Sequence, residues 1–491
     1  LKTRETYKKV KRAKTPTFIV ELPVSVSQET ERQLTARLLA GTRLYNAALG
    51  EALRRLDLMR ESKDWQAARK LKGKQRTDAF RSVVKKFELT SASVSAFATR
   101  CKNEAGWKSR LSANETQRIA ETAFAAAEQH SYGKRGRPRF KSAKRPLKSF
   151  SGKTNKAGIR YRPELGIVEW AGLILPIQYP PAGKDRWLDE ALKAKTKFCR
   201  LVWRNVKGKR RWYVQLAQAG LSPAKEKNST LPNNEVGLDV GPSSVAVVSE
   251  TASDLLAFCP TIEQPWKEIR TLQWAMDRSR RATNPHCYNE NGTWKKCAKV
   301  KVVSKNYLAL KQAVAELERK LAAERKRSQG QLVNDVLRLG NIIKTKKLSY
   351  KAWQKLYGKS IKTKAPATFI AGLKRKAESA GGQLIELNTQ RLKMSQYDHV
   401  SGEYTKKTLS ERWHFLGGKT SESALLVQRD CYSAFLALCV IENEHQPSQL
   451  HARWPVVKQL LEQAGWCRQI EVANGGTIVL PTAKPSERLA C

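Results

Sequence analysis

Two carboxylates and a lysine are the residues in this chain whose types and spacing could do chemistry. Asp239 closes the first apolar run of "EVGLDVGPSSVAVVSE", and Asp430 stands near the start of the helical text "LLVQRDCYSAFLALCVIENE". One acid from a strand tip and another from a distant helix, brought to one point, is how a two-metal phosphodiesterase site is built. Paired Mg²⁺ ions take oxygen ligands and need several carboxylates to offset their charge. The "LDVG" text alone says little, because an Asp that opens a turn after a strand needs no metal. The third stretch is "IIKTKKLSYKAWQK", Ile342 to Lys355. Its isoleucines read as the end of a buried strand, yet the charged residues there are Lys344, Lys346 and Lys347.

The elements that must position these residues alternate between two periods. "EVGLDVGPSSVAVVSE" reads strand, tight Gly-Pro-Ser turn, strand. Ser304 to Gly340 is helical, with Leu310, Val314, Leu317 and Leu321 on one stripe. "FIAGLKRKAESAGGQLIELNT" reads helix, Gly-Gly stop, strand, and a final helix carries Asp430. Such alternation implies an α/β core. Upstream, "TPTFIVELPVSVS" (Thr15 to Ser27) reads as a strand, and Glu29 to about His130 as a helical module. Residues 157 to 220 return to short strands, with a hairpin turning at "NVKGKRR"; with the first strand they are expected to close a small barrel. "SPAKEKNSTLPNN" is the clearest linker.

The chain has 491 residues, enough for about three domains. Lys and Arg number 92 against 44 acids, and the net charge of +48 is spread along the whole length. That charge repels itself unless a polyanion neutralises it. With 41% hydrophobic residues the chain is no disordered polycation, so a folded nucleic-acid binder is expected. The loop "YGKRGRPRFKSAKRPLKSF" mixes Arg and Lys with Phe140 and Phe150, as a backbone clamp or a solvated basic linker would. Nine cysteines form no C-x-x-C pair, which argues against a thiolate zinc site and a disulfide scaffold. No apolar run approaches a membrane span, and the expected location is cytoplasmic and nucleoid-associated.

"VGLDVGPSSVAVV", "RSRRATNP", "KKLSYKAWQKLYGKS", "LKRKAESAGG", "KMSQ", "LSERWH" and "VQRDCYSAFLA" follow one another across residues 236 to 437. In that order they resemble the transposon-encoded TnpB proteins, ancestors of the type V CRISPR effectors, which carry a C-terminal RuvC nuclease of RNase H-like fold. The N-terminal half agrees more loosely, through "LYNAAL" and "GRPRFKS". The resemblance implies a multidomain α/β chain. Residues 1–28 and 131–222 would form a β-barrel wedge domain, with a helical recognition lobe (29–130) inserted. A linker (223–234) would lead to a RuvC-like domain (235–445), followed by a helical tail (446–491). It also implies a guide RNA and target DNA as partners, with base pairing reading the sequence while the protein grips backbones.

The sequence departs from that family at two metal sites. The first and third RuvC acids carry over onto Asp239 and Asp430. Where the family reads like I-K-T-E-K-L-S-Y, "IKTKKLSY" puts Lys346 at the middle glutamate. The exchange alters local charge by two units and removes a ligand. The family's zinc element reads like L-S-Q-x-C-x-x-C-G and R-W-H-x-C-x-C-G; within about 393–420, Asp398, Ser401, Leu416 and Gly418 hold its thiolate positions. Neither bound Mg²⁺ nor zinc is expected from such residues. His399 and His414 remain, as packing or surface residues. Lys346 either sits between Asp239 and Asp430 as counter-charge or is an exposed lysine at a strand end.

The expectation is therefore an RNA-guided double-stranded DNA binder that is nuclease-inactive and acts by repression or partner recruitment. The alternatives are an active guided endonuclease using another acid, such as Glu386 or Asp335, and a nonspecific RNA-binding protein on the same scaffold. Charge and turn context nominate nucleic-acid contacts at Lys134, Arg135, Arg137, Arg139, Lys141, Arg160, Arg162, Lys207, Lys209, Arg210, Arg211, Arg278, Arg280 and Arg281. The final helical text, "HQPSQLHARWPVVKQLLEQAGWCRQ", reads as a packing element or a docking helix.

Overall fold

The alternation in "TPTFIVELPVSVS" produces β1 (Thr17–Pro23), which buries Val20 and Leu22 while Ile19 and Glu21 face outward. The Ser27 hydroxyl then accepts a hydrogen bond from the Thr30 amide and starts the 34-residue helix α1 (Gln28–Glu61). The computed structural model that reveals this describes residues 15–143, 145–224, 230–262, 265–296, 298–408, 410–417, 423–471 and 485–486. It separates into two compact units, Leu1–Pro223 and Ala224–Cys491.

In the first unit α1 is followed by α2 (Lys63–Lys70), α3 (Gly73–Lys86), α4 (Ser91–Glu104) and α5 (Ala113–Ser131). Then come β2 (Ser149–Ser151), β3 (Ile159–Arg162), β4 (Ile167–Trp170), β5 (Leu173–Pro176), α6 (Arg186–Lys193), β6 (Thr196–Val206) and β7 (Lys209–Ala219). The hairpin expected at "NVKGKRR" joins β6 to β7. Lys207 and Gly208 both take positive φ there, as a two-residue turn matching strand twist requires. Leu34, Leu38 and Leu49 of α1 share one core with Phe150, Trp170 and Val214 of the strands.

The barrel expected from these strands does not close. β1, β7, β6 and β2 form one antiparallel sheet in that order, and β3, β4 and β5 form a separate three-stranded sheet. Among the described residues a single bridge, Val24 to Ile177, links the residue that follows β1 to the residue that follows β5. The three-stranded sheet is anchored on α1 instead of pairing along its length with the other sheet. The buried Arg37 of α1 donates to the carbonyls of Trp170 (2.8 Å) and Ala171 (2.7 Å) and lies 4.7 Å from the Trp170 ring, tying the β4–β5 turn to a helix.

The second unit is built on a five-stranded sheet. β8 (Glu235–Val240), β9 (Ser244–Val248) and β10 (Ser253–Ala257) form an antiparallel run. α7 (Trp266–Thr283) and α8 (Lys305–Leu339) lead to β11 (Ile342–Lys346), and α9 (Tyr350–Lys364) and α10 (Pro366–Ser379) lead to β12 (Gln383–Leu387). The order is β10-β9-β8-β11-β12, with β11 parallel to both β8 and β12. After α11 (Thr389–Leu392), β13 (Trp413–Leu416), β14 (Ser423–Gln428), α12 (Arg429–Leu438), α13 (Pro447–Gln463) and β15 (Cys467–Glu471) complete the unit, with β13, β14 and β15 in a sheet of their own.

Strand alternation divides the core into two layers. Val236, Leu238, Val240 and Ile343 face α8 and α10, whose Val336 and Phe369 meet them. The opposite face receives α12, which is buried over nearly its whole surface. One difference from the sequence reading matters for the site: "LLVQ" is not helical but forms the end of β14. The side chain of Gln428 accepts from the amides of Asp430 and Cys431 and starts α12 only there, after an apolar run that pairs with β13 and β15. The C-terminal text packs: Leu450, Val457 and Leu461 of α13 are buried. No helix among the described residues is long and apolar enough to cross a membrane. The seven described cysteines are all free, and six of them are buried.

Candidate functional site

The parallel register of β11 on β8 sets Thr345 opposite Leu238, so the next residues, Lys346 and Asp239, fall side by side at the C-terminal ends of their strands. Alternation points both toward α12, along with Lys344, two residues before Lys346, and Glu235, four residues before Asp239. Two ion-pair rungs result. Lys344 Nζ lies 2.7 Å from Glu235 Oε1 and donates to the Leu438 carbonyl at 2.8 Å, while Lys346 Nζ lies 2.6 Å from Asp239 Oδ2. Arg453 of α13 completes the inner rung, at 2.9 Å from Glu235.

Gly237 lies between the two acids of β8 and sets how closely α12 approaches. A Cβ at this position would stand 2.0 Å from the Ala434 carbonyl oxygen and 2.8 Å from the Leu438 amide nitrogen. Helix backbone therefore lies directly on strand backbone, and this contact carries Asp430 toward Asp239. Gly237→Ala is expected to cost about 2 kcal/mol, since a buried methyl facing main chain forces the helix to shift. A lower urea midpoint at unchanged slope would register it.

Lys346 does not serve both acids. Asp430 takes its counter-charge from Arg429, at 3.4 Å, and Arg412, at 3.9 Å. Burial pushes the Asp239 carboxyl up from the usual carboxylate range; Lys346 works against that push and Asp430 adds to it. These residues line a cleft of about 940 Å³ that also receives Lys347, Lys407, Trp353 and Tyr357. Burial draws the Lys407 ammonium down to about 8. With five cations and two acids, the cleft wall is positively charged before any ion enters.

The two divalent ions that the family resemblance implies do not fit these residues. An ammonium occupies the carboxylate oxygen a metal would take, and among the described residues no three His, Cys, Asp or Glu side chains gather in a metal-holding group. Glu386 is exposed on β12, and Asp335 is paired with Arg338 on α8.

The zinc element fits no better. Leu416 is buried in the apolar core and Ser401 is exposed; Gly418 lies outside the described residues. Asp398 is buried: its carboxylate accepts from the amides of Val400 and Gly417, both at 2.9 Å, and lies 3.7 Å from His414 Nε2. His399 and His414 are packing residues. His414 stacks on Tyr432 at 4.9 Å, and His399 Nδ1 meets the Tyr432 hydroxyl at 2.6 Å. Burial pulls the His399 imidazole down to about 4, against the opposing pull of Asp398 and with a push from His451. The unfolded chain takes up that proton at about 6.5, so the contribution is complete above that pH and is lost as pH falls toward 4, by about 3 kcal/mol. Urea unfolding across that range should show this decline, and His399→Phe should flatten it.

The nominated nucleic-acid contacts fall into two groups. Arg137 is bidentate to Asp57, Arg160 and Arg162 share Glu169, Arg210 pairs with Glu31 over the Trp203 ring, and Arg280 and Arg281 share Asp277. Lys141 lies over the Tyr45 ring and Arg135 meets Gln129. Lys134, Arg139, Lys207, Lys209, Arg211 and Arg278 are exposed, without an acid partner among the described residues. The sequence reading missed Arg412, Arg429 and Lys407 in the cleft. "QRD" did set Arg429 beside Asp430, but nothing local indicated that residues 407 and 412 return to it.

No family model matches the chain, and no curated protein matches it. Among solved structures it is similar to one described as a Cas12f1–sgRNA–target DNA complex. That match has 13% identity, covers 86% of this chain and 98% of the other, and has a TM-score of 0.40. It is also similar to a CRISPR-Cas12f ternary complex, at 13% identity over 77% of this chain and 75% of that one, with a TM-score of 0.24. Likenesses at this level carry no argument about the site.

Proposed function

We propose that this chain is an RNA-guided binder of double-stranded DNA that does not cut it, acting by occupying its target to block transcription or recruit a partner. The observation that supports this best is the Lys346–Asp239 ion pair at 2.6 Å, formed where the family resemblance puts a metal-binding glutamate. In this reading residues 235–445 are a RuvC-like domain of RNase H-like fold that keeps its scaffold and two of its acids, while residues 1–222 hold the guide. The charge of +48 and the exposed cations at Lys134, Arg139, Lys207, Lys209, Arg211 and Arg278 suit phosphate backbones. Affinity gained in this way falls steeply with salt.

The test is to purify the protein from its native host, sequence the RNA bound to it, and incubate that complex with matching duplex DNA with and without Mg²⁺. One RNA species, bound target and intact DNA under both conditions is the expected result. Cut DNA would overturn the inactive reading, and RNA of mixed sequence with no target preference would point to the nonspecific RNA binder.

A further inference from the structure

We infer that the outer face of α7 is a stacking site for an unpaired segment of RNA, with Trp274 as its platform. α7 buries Ile269, whereas Trp274 is 56% exposed. The ring stands largely open on the helix, and its neighbours four residues away on either side, Arg270 and Arg278, are cations. Arg270, one turn before, holds its guanidinium 5.1 Å from the Trp274 ring centre. Arg278, one turn after, is exposed with no acid partner among the described residues. Positions 270, 274 and 278 recur at four-residue spacing and so lie along one helix face.

The segment after α7 extends this pattern. Arg280 lies over Trp294 at 5.2 Å and Arg281 over Tyr288 at 5.0 Å, and both arginines are oriented by Asp277. Tyr288 and Trp294 are bridged as an antiparallel pair, with rings edge to face at 5.2 Å. The turn between them is shaped around a guanidinium: Gly292 takes φ +76, and a Cβ there would stand 2.5 Å from Arg281 Nη1. Asn284 holds the returning chain by accepting from the amides of Lys301 and Val302 and donating to the Val302 carbonyl. Three arginine–aromatic pairs are thus held in place before any partner arrives.

Residues 266–303 contain nine Lys and Arg against three Asp and Glu, so the face complements a polyanion. An exposed ring stacks on any base, whereas arginine planes and lysines beside it meet the flanking phosphates. A duplex hides its base faces, and unpaired RNA presents them. The inference rests on the proposal that the protein carries RNA.

The test titrates fluorescein-labelled oligouridine and oligothymidine into the full-length protein stripped of RNA, alongside Trp274→Ala, Trp274→Phe and Arg278→Ala. Trp274→Ala is expected to weaken oligouridine binding about tenfold while Trp274→Phe restores most of it. Arg278→Ala is expected to flatten the slope of log affinity against log salt by about 0.7. A 4-thiouridine probe should crosslink to the peptide carrying residue 274. Oligouridine binding unchanged in Trp274→Ala, with wild-type binding intact, would overturn this site alone. A preference for oligothymidine that depends on Trp274, or a crosslink from residue 274 to a protein instead, would overturn the RNA assignment. Wild-type protein that binds no RNA would overturn the proposed function together with the site.

Discussion

Lys346→Ala is expected to destabilise the C-terminal unit by about 3–5 kcal/mol, because it leaves the buried Asp239 carboxylate without its partner. Both side chains of the pair are mostly removed from water, at 15% and 11% exposure. A surface ion pair would give about 1 kcal/mol or less, so the size of the loss separates a buried counter-ion from an exposed lysine. Asp239→Asn in the same chain should recover most of the loss, since an amide has no charge to leave stranded. A double-mutant cycle in urea measures the coupling. Additive single effects would mean that the two side chains do not depend on each other.

Lys346→Glu reverses the local charge, and its expected signature is a new dependence on divalent ions. In EDTA three neighbouring carboxylates repel one another, and the variant should be at least as unstable as Lys346→Ala. Mn²⁺ at about a hundred times its dissociation constant would restore about 2.7 kcal/mol, or about 5–10 °C in the melting transition. The wild-type transition should not move with Mn²⁺, because the ammonium already occupies the Asp239 oxygen. A wild-type shift as large as that of the variant would mean that the metal binds without residue 346.

How far the sequence disclosed this site depended on whether the deciding contact was local. The strand ends at Asp239 and Lys346 were legible from apolar runs broken by turn residues, and the Lys207–Gly208 hairpin from its turn chemistry. β14 was read as helix because its apolar run joins α12 without a break, and the Gln428 cap that separates them is a side-chain contact rather than a composition signal. That the strands would pair as two sheets instead of one barrel was not legible, and the Arg37 bonds that tie the β4–β5 turn to α1 reach carbonyls more than a hundred residues away. Lys346 and Asp239 could be proposed as neighbours only because a family resemblance aligned them. The pairing of Asp430 with Arg429 and Arg412 was missed, since residue 412 reaches the cleft through β13 and the loop before it.

The backbone contact at Gly237 has a consequence for how such chains diverge. The spacing between β8 and α12 is set by main chain, not by the charges at its edge, so the cleft can change sign without the scaffold changing shape. Across chains that share this architecture, residue 237 should remain glycine whether position 346 holds an acid or a lysine. Residues 239 and 346 should instead vary as a pair, and an alignment in which 237 drifts while 346 stays fixed would contradict that order of constraint.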